Sequence, residues 1–327
     1  MLPVFSPSRR AARLGRCACL ALLAGAAHGA RLAADPSSDA PPAPPAARPA
    51  GPELLEAKLQ ADRLVVTIGS ELFTEYRFGP DTKYPYFYPV LGPRSGRPVT
   101  VHRTEPYPHH SSIFLGCDRV NGGNYWQEGL ERGRIVSRQL RLVRDRGERV
   151  EFEQECVWER PGAEPPFDDW RRVRVSAPEP EVRFIDFEVR LTARGEVRIE
   201  KTNHSLLAVR VAPDLAVRGG GTLRNARGQR AEAGTFGQPA AWAVFGARRG
   251  EEFESVALFS HPTNPWYPEP WFTRDYGFMS PTPLNWLGAD GLRLAPGQTL
   301  RFRYRVVIAA VEPDSPRLSS WFADWAR

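Results

Sequence analysis

The 327-residue chain carries 44 lysines and arginines against 38 aspartates and glutamates, a formal net charge of +6 at pH 7. Residues 1–30 hold four of the arginines and no acidic residue, so the rest of the chain has 40 basic and 38 acidic residues. Arginines alternate with glutamates along that part and form no basic block, which argues against nucleic acid as a partner.

Residues 1–30 are predicted to be an export signal. Four arginines between residues 9 and 16 precede a short apolar run from Cys17 to Ala27, and small residues follow to Ala30. This run is shorter than the ~20 apolar residues of a membrane helix, and no later stretch approaches that length. We therefore expect an exported protein, periplasmic or extracellular, without a membrane span.

The remaining chain is predicted to contain one folded domain. Residues 31–52 are rich in proline and alanine and form a linker that cannot bury a core. Residues 53–327 show no internal repeat and no further linker, which favours a single β domain. Cys117 and Cys156 lie within it. They can pair in an oxidising compartment, but spacing alone does not set their distance, so their pairing stays open.

Alternation of apolar and polar residues recurs along the domain and predicts strands. In chain order the runs lie near residues 63–68, 71–78, 134–143, 149–158, 171–176, 185–191, 196–202, 240–246, 253–260 and 300–308. Helical spacing is convincing only at the end, where Leu318, Trp321, Phe322 and Trp325 follow Ser315-Pro316. Many strands without crossover helices predict an all-β fold, a large antiparallel β-sandwich on which a short C-terminal helix docks.

Aromatic rings and histidines concentrate between residues 84 and 126. The segments are YPYFYP at 84–89, PHHSS at 108–112 and VNGGNYW at 120–126. Rigid rings and titratable groups on loop-like backbone are typical of the wall of a binding site. The predicted ligand-binding residues here are Tyr86, His109, Asn121 and Trp126. His110 is the candidate general acid/base.

The backbone of the histidine pair decides whether both rings reach one site. Adjacent side chains on a regular strand point to opposite faces. Pro106 and Pro108 favour a bent loop instead, in which His109 and His110 converge. The alternative is that one histidine bonds to the backbone and the other is exposed.

A second dense segment spans residues 260–277 and includes SHPTNPWY and PWFTRDYG. Its prolines favour an ordered loop over a long strand. Flat rings beside Arg and Asp suit a sugar, whose C–H faces stack on rings while its hydroxyls need polar partners. The alternative is a stiff loop whose tryptophans plug one end of the sandwich. The predicted catalytic residues are His261, Arg274 and Asp275, and the predicted ligand-binding residues are Asn264, Trp266, Trp271 and Tyr276.

A metal site requires three or four converging ligands. Candidates beside the histidine pair are His102, His204, His261, Asp118 and Glu128, and none has a motif spacing. No metal ligand and no cofactor is therefore predicted, although copper, iron or zinc stays open. The sequence also contains no nucleophile elbow, no HExxH and no convincing dinucleotide fingerprint.

Several of these motifs, taken in order, resemble a known family. They are YPYxYP at 84–89, Pro108-His109-His110, Val120-Asn121-Gly122 with Trp126, Gly237 with Trp242, HPxNP at 261–265, WxxRDYG at 271–277 and the strand at 300–308. Over about residues 60–310 the chain resembles the exported bacterial family labelled "methane oxygenase PmoA", a domain of unknown function. The resemblance implies a β-sandwich similar in outline to galactose-mutarotase-like sandwiches, often found among sugar-catabolic functions.

The chain departs from that family's pattern at three places. The family usually has Arg-Gly where Ser111-Ser112 stand, His where Phe272 stands, and often Glu-Gly near Asn203-His204. If a lost group were a catalytic acid or a metal ligand, this member would have altered or lost chemistry.

Three functions follow from these observations. The first is an enzyme that modifies or isomerises a sugar, with His110 or His261 as acid/base and with Arg274 and Asp275 holding hydroxyls or a carboxylate. The second is a non-catalytic carbohydrate-binding module that uses the same aromatic face. The third is a metal-dependent oxygenase, as the family label suggests. The expected ligand is a small molecule or an oligosaccharide, and the oligomeric state stays open.

Overall fold

The structure, a computed structural model, describes residues 54–327. The predicted export signal and linker, residues 1–30 and 31–52, lie outside the described residues. The strands within the described part are β1 (Leu55–Leu59), β2 (Arg63–Ile68), β3 (Glu71–Arg77), β4 (Tyr86–Val90), β5 (His102–Thr104), β6 (Tyr107–Ser111), β7 (Ile113–Cys117), β8 (Arg134–Arg144), β9 (Arg146–Gly147), β10 (Arg149–Glu159), β11 (Phe167–Glu179), β12 (Val182–Ala193), β13 (Val197–Ile199), β14 (Ser205–Arg210), β15 (Thr222–Asn225), β16 (Trp242–Arg249), β17 (Glu252–Ser260), β18 (Trp271–Arg274), β19 (Phe278–Pro281), β20 (Leu292–Leu294) and β21 (Thr299–Ala309).

Helices are short in this part of the chain. The α-helices are α1 (Ala231–Thr235) and α2 (Arg317–Ala326), and single 3-10 turns occur at Leu130–Arg132, Pro213–Leu215, Val217–Gly219 and Pro283–Trp286. None of the helices within residues 54–327 has the length and apolar composition needed to cross a bilayer.

Two large antiparallel sheets form the domain. One has the strand order β18-β19-β14-β7-β4-β3-β2-β1-β9, and the other has the order β15-β16-β17-β21-β12-β11-β10-β8. β5 with β6 and β13 with β20 form separate two-stranded sheets. Apolar residues from both large sheets form one continuous core, as in sandwiches that bury two facing sheet surfaces. The predicted all-β antiparallel sandwich with a C-terminal helix is confirmed.

The C-terminal helix α2 covers the outer face of the eight-stranded sheet. Leu318 is fully buried there. The ring centroid of Trp321 lies 5.9 Å from that of Phe184, and the ring centroid of Phe322 lies 5.6 Å from that of Phe259. The spacing of these apolar residues places them on one side of a helix, which explains why the sequence pattern identified it.

Three of the described strands carry no alternation at all. Every residue of β7, β14 and β19 is buried, and all three strands lie inside the nine-stranded sheet. The sequence pattern also misjudged β6, which was expected to be a bent loop. Pro106 lies in the turn before this strand, and Pro108 is tolerated because the β5–β6 sheet has only edge strands.

The two cysteines of the domain do not pair. Cys117 and Cys156 are both free and buried, and burial raises the pKa of both thiols. Their burial matches the behaviour of structural cysteines, which act as small apolar residues.

The inner face of β11 carries a buried ion pair. Asp169 and Arg171 lie between Phe167 and Val173 on that face. An Arg171 Nη donates to the Asp169 carboxylate at 2.6 Å. The Trp158 indole N–H also donates to this carboxylate, at 2.9 Å. A buried charge that loses its partner is strongly destabilising, so Asp169 is needed wherever Arg171 is buried.

We expect Asp169→Asn to lower the free energy of unfolding by about 3–5 kcal/mol, because it leaves the Arg171 charge unpaired in the core. Urea unfolding at pH 7 measures this loss. The matched control is Glu196→Gln, which removes an exposed ion pair with Arg293 and should cost less than ~1 kcal/mol. Equal losses in the two variants would contradict the prediction.

Candidate functional site

An open groove of about 420 Å³ lies where the β5–β6 hairpin, β14 and the β18–β19 hairpin meet. Tyr107, Phe272, Tyr276 and Phe278 supply its aromatic walls. Its polar lining comes from His109, His110, Gln127, Asn203, His204, Arg218, Glu232 and Arg274. Aromatic walls with a few converging polar groups are typical of small-molecule sites.

The β5–β6 hairpin brings both predicted histidines into this groove. The rings of His109 and His110 lie 4.5 Å apart, edge to face. His110 is buried between Tyr107, at 5.1 Å, and Phe278, at 4.5 Å. Its Nδ1 is buried and has no hydrogen-bond partner within the described residues.

Burial keeps both histidines uncharged near neutral pH. Burial, reinforced by His204, lowers the pKa of His109 to about 4. Burial also lowers the pKa of His110 to about 2, with smaller contributions from His109 and Arg210. These rings therefore act as neutral hydrogen-bonding groups at pH 7.

A third histidine, His204, lines the groove beside this pair. Its ring centroid lies 5.8 Å from that of His109. Its Nδ1 is 2.9 Å from Oδ2 of Asp118, whose side chain is only 6% exposed. The Thr202 hydroxyl donates to the other oxygen of that carboxylate. Because a carboxylate accepts, the Nδ1 of neutral His204 carries the proton and Nε2 keeps its lone pair.

The register of β7 and β14 creates this Asp118–His204 pair. Cys117 and Ser205 are direct partners in the antiparallel ladder. Asp118 comes directly after Cys117, and His204 comes directly before Ser205, so the two residues face each other one step beyond the paired strands. The backbone N–H of Asp118 donates to the carbonyl of His204 at 3.1 Å, which extends the ladder to them.

Trp126 lies beneath the groove and supports His204. Its fully buried indole stacks on the imidazole at 5.7 Å. Gly116 on β7 makes this approach feasible, since a Cβ there would lie 2.5 Å from the carbonyl oxygen of Tyr125. Trp126 thus packs under His204 instead of lining the groove.

Arg274 lines the groove, whereas Asp275 fixes its wall. The Arg274 guanidinium pairs with Glu232 of α1 and lies 4.4 Å from the centroid of Phe272. The Asp275 carboxylate accepts a bond from the Glu232 N–H at 2.7 Å, and the Asp275 N–H donates to the Glu232 carboxylate at 3.1 Å. These reciprocal bonds join α1 to the β18–β19 turn.

The structure does not bring His261 or Asn264 into the groove. His261 is buried, its Nδ1 lies 2.8 Å from the Thr263 hydroxyl, and its ring meets Trp325 of α2 edge-on at 4.9 Å. The Asn264 amide donates to the carbonyl of Arg303 at 2.8 Å and accepts from its N–H at 2.7 Å. The two hydrogen bonds of Asn264 hold the 261–270 loop against β21.

The other predicted ligand-binding residues occupy structural positions. The Trp271 indole is buried and donates to the Ala240 carbonyl at 2.8 Å. The Tyr86 ring packs on His102 at 4.5 Å, and the Asn121 side chain accepts from the Arg198 N–H at 2.7 Å. Trp266 is 38% exposed and borders a small apolar cavity with Trp158 and Phe302. Of the predicted ligand-binding residues, His109 and Tyr276 line the groove.

Sequence reasoning missed several groove residues. Tyr107, Gln127, Arg218 and Glu232 carry no motif, and the link between Asp118 and His204 exists only once β7 pairs with β14. Within the described residues, no group of three or more His, Cys, Asp or Glu side chains has an arrangement that could hold a metal ion.

The fold and groove define a large β-sandwich with a histidine-lined pocket at one end of its larger sheet. The chain belongs to the family of unknown function DUF6807, whose model matches residues 63–323. This family description names no activity, so the resemblance to the family labelled "methane oxygenase PmoA" stays a prediction.

Similarity to proteins outside the family is slight. No curated protein matches the chain significantly. A crystal structure from Escherichia coli K12, described as a "Putative aldose 1-epimerase", is similar to it with 12% sequence identity and a TM-score of 0.32. That match covers 79% of this chain and 100% of the other chain. The fold assignment rests on the strand order given above.

The loop before β18 contains a buried carboxyl group, Glu269. The Ser260 hydroxyl donates to its Oε1 at 2.5 Å, while its Oε2 is buried without a partner in the described part of the chain. Burial raises the pKa of Glu269 from 4.5 to about 7. The folded protein thus binds this proton more tightly than the unfolded chain does.

The contribution of Glu269 to stability should therefore fall as pH rises from about 4.5 to about 7. The Glu269 contribution is fully present below the unfolded pKa and is lost above the folded pKa, at a slope of at most ~1.4 kcal/mol per pH unit. Glu269→Gln should remove this dependence, so the variant gains stability relative to wild type between pH 5 and pH 8. Urea unfolding at both pH values measures the gain. The exposed Glu312→Gln is the control, and an equal shift in both variants would refute the assignment.

Proposed function

We propose that the protein is an exported carbohydrate-active enzyme that modifies or isomerises a sugar in the groove, with His204 as its general base. The observation that carries this proposal is the buried Asp118 carboxylate, which holds Nδ1 of His204, a residue that lines the groove, and leaves Nε2 free of this partner. A histidine ordered by a buried carboxylate is a recurrent arrangement for proton transfer.

The proton transfers follow from this arrangement. Nε2 of His204 takes a proton from a sugar hydroxyl, and Asp118 stabilises the imidazolium that forms. Nε2 of His204 then returns the same proton to another sugar oxygen, while the uncharged ring of His109 lies beside it as a hydrogen-bonding group. His110 offers its unpartnered Nδ1 as a hydrogen-bonding group. An isomerisation of this kind leaves the number of protons unchanged.

The walls of the groove suit a sugar ring. Tyr107 and Tyr276 stack with their centroids 4.6 Å apart, and Phe272 and Phe278 form a second aromatic surface. Such rings bury the C–H faces of a sugar, while the side chains of Asn203 and Gln127 lie at the groove to bond its hydroxyls.

One observation favours the second candidate, a carbohydrate-binding module. Phe272 stands where the family resembled by the sequence usually has a histidine, and its ring is covered by the Arg274 guanidinium. If that missing histidine were the acid of the reaction, the groove would bind sugar without converting it.

We expect His204→Ala and Asp118→Asn each to lower kcat at least ~10²-fold, because each disables the base. Their KM should change little, since the aromatic walls remain. Polarimetry of freshly dissolved α-anomers and proton NMR of an aldose and ketose panel measure turnover. His261→Gln is the matched control and should keep wild-type activity, because His261 lies outside the groove.

The outcomes separate the candidates. Unchanged turnover in His204→Ala would dismiss His204 as the base. Lost turnover in His261→Gln, with wild-type stability, would restore the role that the sequence predicted for His261. Sugar binding without product in the wild type would favour the binding module.

A further inference from the structure

Three arginines gather around Tyr276 at one wall of the groove. The guanidinium carbons of Arg210 and Arg218 lie 4.5 Å and 5.6 Å from the centroid of the Tyr276 ring. Arg274 is the last residue of β18, two residues before Tyr276, and Glu232 pairs with it. The structure records no carboxylate partner for Arg210 or Arg218 within residues 54–327, so two positive charges at this wall are uncompensated.

Arg210 is the more unusual of the two, because its side chain is buried. Only 6% of the residue is exposed. It donates to the carbonyl oxygen of Tyr276, and its Nε is buried without a partner in the described chain. Burial lowers the pKa of Arg210. A buried cation with an unpaired donor is costly unless an anion offsets it.

The charge of Arg210 acts on the groove itself. It contributes to the lowered pKa of His110, which lines the groove. Arg218 is exposed and also lines the groove, so its guanidinium can reach a ligand directly. His109 and His110 are uncharged near neutral pH, which leaves Glu232 as the acidic side chain among the lining residues, and Arg274 already neutralises it.

We infer that the sugar bound in this groove carries an anionic group, a carboxylate or a phosphate, which Arg218 binds directly and Arg210 stabilises from beneath Tyr276. This inference rests on the proposed function and narrows its substrate to acidic sugars. Arg guanidinium groups suit both anions, because their planar N–H donors pair with two oxygens at once.

Isothermal titration calorimetry with matched sugars tests the inference. The probes are glucose, glucuronate and glucose 6-phosphate, together with galactose, galacturonate and galactose 6-phosphate. In at least one series an anionic member should bind ~10-fold or more tightly than its neutral parent, as expected for one charge-assisted hydrogen bond. Whichever anionic sugar, the uronate or the sugar phosphate, gains more affinity over its neutral parent shows whether the site prefers a carboxylate or a phosphate.

Variants of Arg218 test whether this residue causes the higher affinity for the anionic sugar. Arg218→Gln should abolish the preference for the anion, while Arg218→Lys should restore part of this preference. Arg301→Gln, an exposed arginine on β21 of the other sheet, is the matched control and should keep the preference. Arg218 is exposed, so its variants should fold normally, and circular dichroism checks this.

Two results would overturn the inference while the proposed function stands: equal affinity for neutral and anionic sugars, or an anion preference that survives Arg218→Gln. Failure of the wild type to bind any of the six sugars, or to convert any member of the aldose and ketose panel, would instead remove the proposed function together with the inference.

Discussion

The pairing of β7 with β14 is the constraint on which the groove depends. It sets Cys117 against Ser205 and thereby places Asp118 opposite His204. Both strands are buried at every position, so a slip of one residue would exchange the faces of all the packed side chains of the strand that moved. The core therefore enforces the geometry of the proposed base, and His204 does not depend on the conformation of a free loop.

Alternation in the sequence identified the strands that bury one face only. β11, β12 and β21 alternate clearly because one face meets the core and the other meets solvent or arginine-glutamate pairs. β7 and β14 have no solvent face, so the period of two disappears from their sequences. The strands that position the groove were thus the ones that alternation could not reveal.

The local density of aromatic and charged residues in the sequence identified part of the groove. His109, His110, Arg274 and Tyr276 stand in segments dense with rings and charges, and all four line it. The segment around His261 has the same composition, but its polar groups bond to one another and to β21. Asp118 and His204 are 86 residues apart, and only the strand register joins them. Residue types alone cannot distinguish groups that satisfy each other from groups left for a ligand.

The β5–β6 hairpin stands apart from the two large sheets and yet supplies Tyr107, His109 and His110. Substitutions in it change the ring and hydrogen-bonding surface of the groove without touching the ladder between β7 and β14. Asp118 and His204, in contrast, are tied to that ladder. The hairpin that supplies part of the groove surface and the ladder that holds the proposed base are therefore separate segments, so the surface of the groove can change while the register that sets Asp118 against His204 is kept.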